Sequence, residues 1–199
     1  MSEWITGNRY LSVSQQKKNA VLVNAFFEDR GWTRNSIAAM LGNMQSESSI
    51  NPGIWESLKP YKGGYGLVQW TPYTKYSNWA GPGWQDNGDK ECAMIIHELE
   101  DGGQWIETKK YPMSFREFTQ SDGDVKMLAD VWLRNYERPA NLNQPQRGTQ
   151  AVTWYNYLYG DKPPQPPDVD PTPPPKPDPP EEGWKALPLW LITKWGNGL

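Results

Sequence analysis

The 199-residue chain holds one cysteine, Cys92, and one histidine, His97. A single cysteine excludes an intramolecular disulfide framework. One Cys and one His together cannot supply a structural zinc site, so no metal and no cofactor is expected. The same scarcity leaves His97 as the sole partner available for a Ser–His or Cys–His nucleophile. No long apolar run approaches the roughly 18 residues of a spanning helix. The first residues, MSEWITGNRYLSVSQQKK, lack a basic stretch followed by an apolar one, so no export signal is read there. Charge is sparse and mixed: 20 Lys+Arg against 23 Asp+Glu give a net −3 with no basic stripe, which argues against nucleic acid as a partner.

What is abundant is tryptophan and tyrosine, 12 and 10 against four Phe. Rings carrying a polar handle suit a core, an interface or a sugar-stacking groove. Proline is concentrated too. Residues 163–180, PPQPPDVDPTPPPKPDPP, carry 11 prolines in 18 positions and read as an extended polyproline II spacer. Such a spacer would hold the C-terminal residues on the order of 50 Å from the domain before it. The reading is three parts: a globular domain over 1–162, the linker 163–180, and a short hydrophobic tail 181–199. The tail, with Trp184, Trp190 and Trp195, is too short to fold alone. It is either a sticky terminus or remnant of a longer protein, or a docking peptide for a partner protein or a membrane surface.

Within 1–162 the pattern is helix-dominated. Ser14 is the expected cap of a helix reaching Asp29, with Gly31 as its stop. Thr33 caps a second, whose Ile37, Met40, Leu41 and Met44 fall at i, i+3, i+4 and i+7. It should end before Asn51-Pro52. Residues 53–85 show no helical period and read as loop with a hairpin near 57–70. Helices are expected over 89–100, from an Asp122 cap to Pro139, and over 146–159. Cys92 lies on an apolar stripe and reads as packing, and His97 as a residue at the core's edge. The fold class is α+β, predominantly α, with one irregular β-hairpin insertion.

Chemistry is concentrated at the end of the second helix. Glu47, three residues past Met44, falls at the edge of the apolar stripe and in the last helical turn. Partial burial and the negative helix end both disfavour a charged carboxylate, which suits a general acid. The next element is Gly63-Gly64-Tyr65-Gly66-Leu67-Val68-Gln69-Trp70. Its glycines permit tight turns, Gln69 can hydrogen-bond sugar substituents, and Tyr65 and Trp70 offer flat faces for a pyranose.

Taken together, Glu47-Ser48, Asn51-Pro52 and Gly64-Tyr65-Gly66-Leu67-Val68-Gln69 resemble the signature of the lysozyme superfamily, in its goose-type and soluble lytic transglycosylase branch. The longer stretches LGNMQSESSINPGIWES and YGLVQWTPYTKYSNW are similar to the phage tail lysozyme family, and NYERP (Asn135–Pro139) to its closing motif. The resemblance covers residues 14–160. It implies a lysozyme-like fold and cleavage of the bond between N-acetylmuramic acid and N-acetylglucosamine in peptidoglycan. It also implies Glu47 as catalytic acid, with Ser48, Tyr65, Gly66, Gln69 and Trp70 on the substrate side. The place of action would be a virion tail or, after release, the host cell at lysis. A second carboxylate is open: Glu56 holding a water, Asp86 or Asp89 reaching in, or none, with the substrate's own acetamido or 6-hydroxyl as nucleophile. Lytic transglycosylation and a glycan-binding module without turnover are the alternatives.

Overall fold

The computed structural model describes residues 3–59 and 61–160. The expected spacer and tail, and the readings attached to residues 163–180 and 181–199, lie outside the described residues. The elements, in order, are α1 (Val13–Glu28), α2 (Arg34–Ser48), β1 (Trp55–Ser57), β2 (Lys62–Tyr65), α3 (Thr74–Ala80), α4 (Gly88–Asp101), α5 (Phe115–Thr119), α6 (Val125–Trp132), a π-helical turn (Leu133–Glu137) and α7 (Gln146–Tyr159). The class is α+β and predominantly α, as read from sequence. Among the described residues no helix is long and apolar enough to cross a membrane.

Helix α2 is the axis of the domain. Eleven of its 15 residues are buried, so its neighbours wrap it on nearly every side. The predicted stripe Ile37, Met40, Leu41 and Met44 is wholly inaccessible. The polar residues Asn35, Ser36, Asn43 and Ser48 are buried as well, and each bonds to another part of the chain. This matters because a buried polar group without a partner costs on the order of 1–3 kcal/mol. Thr33 caps α2 as expected, its side chain accepting from the Ser36 N–H. The helix stops at two consecutive left-handed residues, Ser49 (φ 53) and Ile50 (φ 54).

Gly42 sets the packing of α2 against α7. A Cβ there would lie 2.5 Å from the Arg147 carbonyl oxygen and 2.7 Å from the Ala151 nitrogen. The two backbones therefore cross in contact, and only a residue without a side chain allows it. One turn on, α2 presents Asn43 and then Glu47 to the same stretch of α7.

Several boundaries differ from the sequence reading. Ser12, not Ser14, caps α1, because Ser12 and Gln15 form a reciprocal capping box. Asp124, not Asp122, caps α6 by accepting from the Met127 N–H. The helix toward Pro139 does not run on as an α-helix: from Leu133 it opens into the π turn and ends at left-handed Arg138 (φ 48). The region 53–85, expected to lack helix, contains α3. Its hairpin is shorter than 57–70, pairing Trp55 with Tyr65 and Ser57 with Lys62 across an irregularity, with an isolated bridge from Tyr65 to Trp70. Helix α5 has no counterpart in the sequence reading either. Helices α4 and α7 lie where expected, stopped by left-handed Gly102 and Gly160.

Candidate active site

Glu47 lies in the last turn of α2, with 17% of its side chain exposed. It is the half-covered carboxylate that the helix-edge argument calls for, but it is not alone. The Arg147 guanidinium of α7 bonds to it through Nη2. That arginine is itself fixed: Nε donates to Gln144 Oε1 at 2.8 Å and Nη1 to Asn43 Oδ1 at 3.1 Å. Asn43 in turn donates to the Ala39 and Ala129 carbonyls, tying α2 to α6. On the flanks, Ser46 donates to Gln150 at 2.7 Å and Trp154 to Gln45 at 2.8 Å. The end of α2 is thus clamped on α7 by Glu47 and the two residues before it.

A second carboxyl, which none of the sequence candidates supplies, lies near enough to feel the charges of Glu47 and Arg147. Glu137, the last residue of the π turn, accepts from Trp132 Nε1 at 2.9 Å. The residue is half-buried. Burial pushes that carboxyl well above the ordinary carboxylate range. The negative charge of Glu47 adds to the push and that of Glu98 adds less, while Arg147 and the Trp132 N–H oppose it. The π turn carries one residue more per hydrogen-bonded ring than an α-helix, which rotates Tyr136 and Glu137 relative to α6. Tyr136 stacks on Trp132 at 4.2 Å and donates to Glu98. Glu98, buried on α4, also accepts from Trp70 Nε1 at 3.1 Å and pairs with Lys75 Nζ at 2.7 Å.

The residues singled out around the hairpin have other partners. Glu56 accepts from the Gly64 N–H at 2.9 Å and braces its own hairpin. Asp89 accepts from Trp4 Nε1 at 3.0 Å, and Asp86 is tied by its backbone N–H to the Tyr65 hydroxyl at 2.8 Å. Ser48 is wholly buried and donates to the Met44 and Leu67 carbonyls, so its hydroxyl is not available to a sugar. Tyr65 and Trp70, expected to offer flat faces, are 1% and 3% exposed. Their rings stack on Tyr76 instead, Trp70 at 4.9 Å and Tyr65 at 6.3 Å. Gly66 (φ 78) is buried against the Glu91 carboxylate, 2.4 Å from where a Cβ would be, so its role is to let that carboxylate in. Gln69 is half-buried, and its amide N–H group donates to the Ile54 and Gly66 carbonyls.

Around the hairpin, aromatic residues that retain exposure are Trp55, Tyr73 and Trp84, which form a half-buried cluster, and Tyr61, which is 63% exposed. Tyr73 lies parallel to Trp84 at 5.7 Å, and Tyr61 stacks over Trp55 at 6.5 Å. His97 stacks on Trp79 at 5.4 Å, at the edge of the domain, and Cys92 is a buried free thiol. Among the described residues no group of three or more His, Cys, Asp or Glu side chains is arranged to hold a metal ion.

Residues 18–158 match the family model described as phage tail lysozyme. The chain is also 47% identical over 157 residues to Morphogenesis protein 1 of Bacillus phage B103, an alignment that covers 77% of this chain and 42% of that protein. It therefore spans less than half the length of that relative. With a buried α2 ending in Glu47, a hairpin behind it and the match running over most of the helical domain, the chain belongs to the phage tail lysozyme family.

Proposed function

We propose that this chain is a peptidoglycan glycosidase, an N-acetylmuramidase, in which Glu47 is the general acid. The observation that carries the reading is the position of Glu47. It is partly covered, it lies in the last turn of the most buried helix of the domain, and the two residues before it are tied to α7. A carboxyl so placed keeps its geometry when a long substrate binds, and positioned proton transfer contributes about 10²–10⁴-fold to a rate.

In the proposed step Glu47 gives its proton to the bridging oxygen as the C1–oxygen bond of N-acetylmuramic acid breaks. The departing sugar leaves with a free 4-hydroxyl. In hydrolysis a water oxygen bonds to C1 and its proton returns to a carboxylate. The half-buried Trp55, Tyr73 and Trp84 with exposed Tyr61 are the rings suited to lie against sugar faces. In this reading Glu56 stays the brace of its hairpin.

That local bond of Glu56 favours a second outcome, lytic transglycosylation. With no carboxylate supplied by the hairpin, the muramic acid's own 6-hydroxyl would close on C1 and leave a 1,6-anhydro end. By analogy with the phage relative named as a morphogenesis protein, the place of action is proposed to be the virion, with glycan strands as the partner. The test is mass spectrometry of fragments released from purified peptidoglycan by the wild type and by Glu47→Gln. Reducing ends that depend on Glu47 support the muramidase, and Glu47-dependent anhydro ends support the transglycosylase. Fragments released equally by both proteins contradict the role of Glu47.

A further inference from the structure

Trp55 is the ring that the aromatic residues around the hairpin share. Its centroid lies 4.9 Å from that of Tyr73, 6.0 Å from Trp84 and 6.5 Å from Tyr61, with buried Tyr65 behind it at 4.9 Å. The strand that bears it, β1, is three residues long and belongs to a two-stranded sheet. A two-stranded hairpin is marginally stable by itself. A ring on such a strand keeps its place only if something outside the sheet fixes the strand.

Asn8 supplies that fixture. Its Oδ1 accepts from the Trp55 N–H at 2.9 Å, and its Nδ2 donates to the Leu58 carbonyl at 3.0 Å. One side-chain amide thus spans β1 from its first residue to the residue just past its end. Because one partner is an N–H and the other a carbonyl, only one orientation of the amide satisfies both. Asn8 is in turn held from behind. Asn51, wholly buried beyond the end of α2, donates to the carbonyls of Gly7 at 2.7 Å and Arg9 at 2.6 Å, the two neighbours of Asn8. Asn51 Oδ1 accepts from the Gly53 N–H at 2.8 Å, and a Cβ on Gly53 would lie 2.4 Å from the Gly7 nitrogen. Close to the same point, the Leu11 N–H donates to Ser49 Oγ at 3.0 Å. Contacts therefore run without a break from the end of α2, through Asn51 and Asn8, to the strand that carries Trp55.

We propose that Asn8 is a positioning residue for glycan binding: it sets the Trp55 ring by tying β1 to the chain anchored at the end of α2. The inference rests on the reading of Trp55 as a ring that lies against a sugar face. Asn8 need not touch the glycan. A ring already held in place has less freedom to lose when the glycan arrives, so more of the contact energy appears as affinity. Such an effect bears on ground state and transition state alike, and is read in KM rather than kcat.

The test is a double-mutant cycle of wild type, Asn8→Ala, Trp55→Ala and the double variant, each checked for folding. The readouts are apparent KM and kcat for fragment release from purified peptidoglycan. Asn8→Ala should raise KM about fivefold with kcat unchanged. Trp55→Ala should raise KM as well, and adding Asn8→Ala to it should raise KM no further, because Asn8 acts through that ring. A merely structural role would lower the melting temperature without this dependence on Trp55. An unchanged KM in Asn8→Ala overturns the proposal, and so does a rise of equal size with and without the Trp55 ring. Should Asn8→Ala fail to fold, Asn8→Asp keeps the acceptor for the Trp55 N–H and sets a carboxylate oxygen against the Leu58 carbonyl. The same rise, absent in the Trp55→Ala background, is expected of it. Co-sedimentation of the four proteins with insoluble peptidoglycan, each also carrying Glu47→Gln, reads binding without the acid. Full cleavage by Glu47→Gln overturns the proposed function, whereas binding that ignores Asn8 overturns this inference alone.

Discussion

Helix α2 and the segment after it, residues 51–87, satisfy their polar groups in different ways. The polar side chains of α2 reach across the fold. Asn35 bonds to the Asp122 and Gly123 carbonyls, Asn43 to Ala129 and Arg147, and Glu47 to Arg147, 100 residues away. The segment 51–87 bonds mainly to itself and to the N-terminal residues. Asn51 donates to the Gly7 and Arg9 carbonyls, Glu56 accepts from Gly64, and Gln69 donates to Ile54 and Gly66. A carboxylate bonded to a backbone N–H fixes a shape. A carboxylate bonded to a side chain from another helix is held at a fixed point of the fold. The difference separates residues that look alike in sequence, such as Glu47 and Glu56.

The comparison breaks most visibly at Gly42. Alanine there would drive its Cβ into the α7 backbone and wedge the two helices apart. Overpacking of this kind costs about 3 kcal/mol. Gly42→Ala is expected to melt roughly 6–12 °C lower by calorimetry and to lose activity as Arg147 leaves Glu47. Unchanged melting would show that α2 and α7 do not meet at this point.

Glu91 gives a smaller effect, visible in pH. Burial raises its carboxyl well above the ordinary range, opposed by the Leu67 N–H bond at 2.7 Å and helped by the Asp86 charge. Because the folded state holds this proton more tightly than the unfolded chain, its stabilising contribution is whole below the unfolded value. It is lost as pH rises through the raised folded value. Glutamine does not titrate. As pH rises from the ordinary carboxylate range toward neutral, Glu91→Gln should therefore lose less stability to urea than the wild type. Equal losses would mean Glu91 is already ionised when folded. The smallest effect is expected at Glu56. Glu56→Gln keeps an acceptor for Gly64 and should change the cleavage rate by less than about threefold, because its bond is to backbone rather than to the cluster.

The helical half of the fold was legible where one element decides the pattern. Ile37, Met40, Leu41 and Met44 announce α2, and Gly102 and Gly160 announce two stops. Short helices such as α3 and α5 have too few turns to show a period. The cap at Ser12 had a local signal, the Gln15 three residues on, which outweighs Ser14. The partial burial of Glu47 was legible because it follows from its own helix. Arg147 was not, since its meeting with Glu47 depends on how α2 and α7 cross. Glu137 lay inside the NYERP motif, which reads as a helix end. It bonds to Trp132 at the end of a π turn that no simple periodicity reveals. Tyr65 and Trp70 illustrate the converse. Their chemistry suits a sugar, but Tyr76 and Glu98, from other elements, take their faces and their N–H.

The most direct test of the account is a parallel assay of Glu47→Gln and Glu56→Gln, each checked for folding, for initial rates of fragment release from purified peptidoglycan. The account predicts a loss of about 10²-fold or more for Glu47→Gln beside a near-normal rate for Glu56→Gln. Near-normal release by Glu47→Gln, or an equal collapse of both, would contradict it.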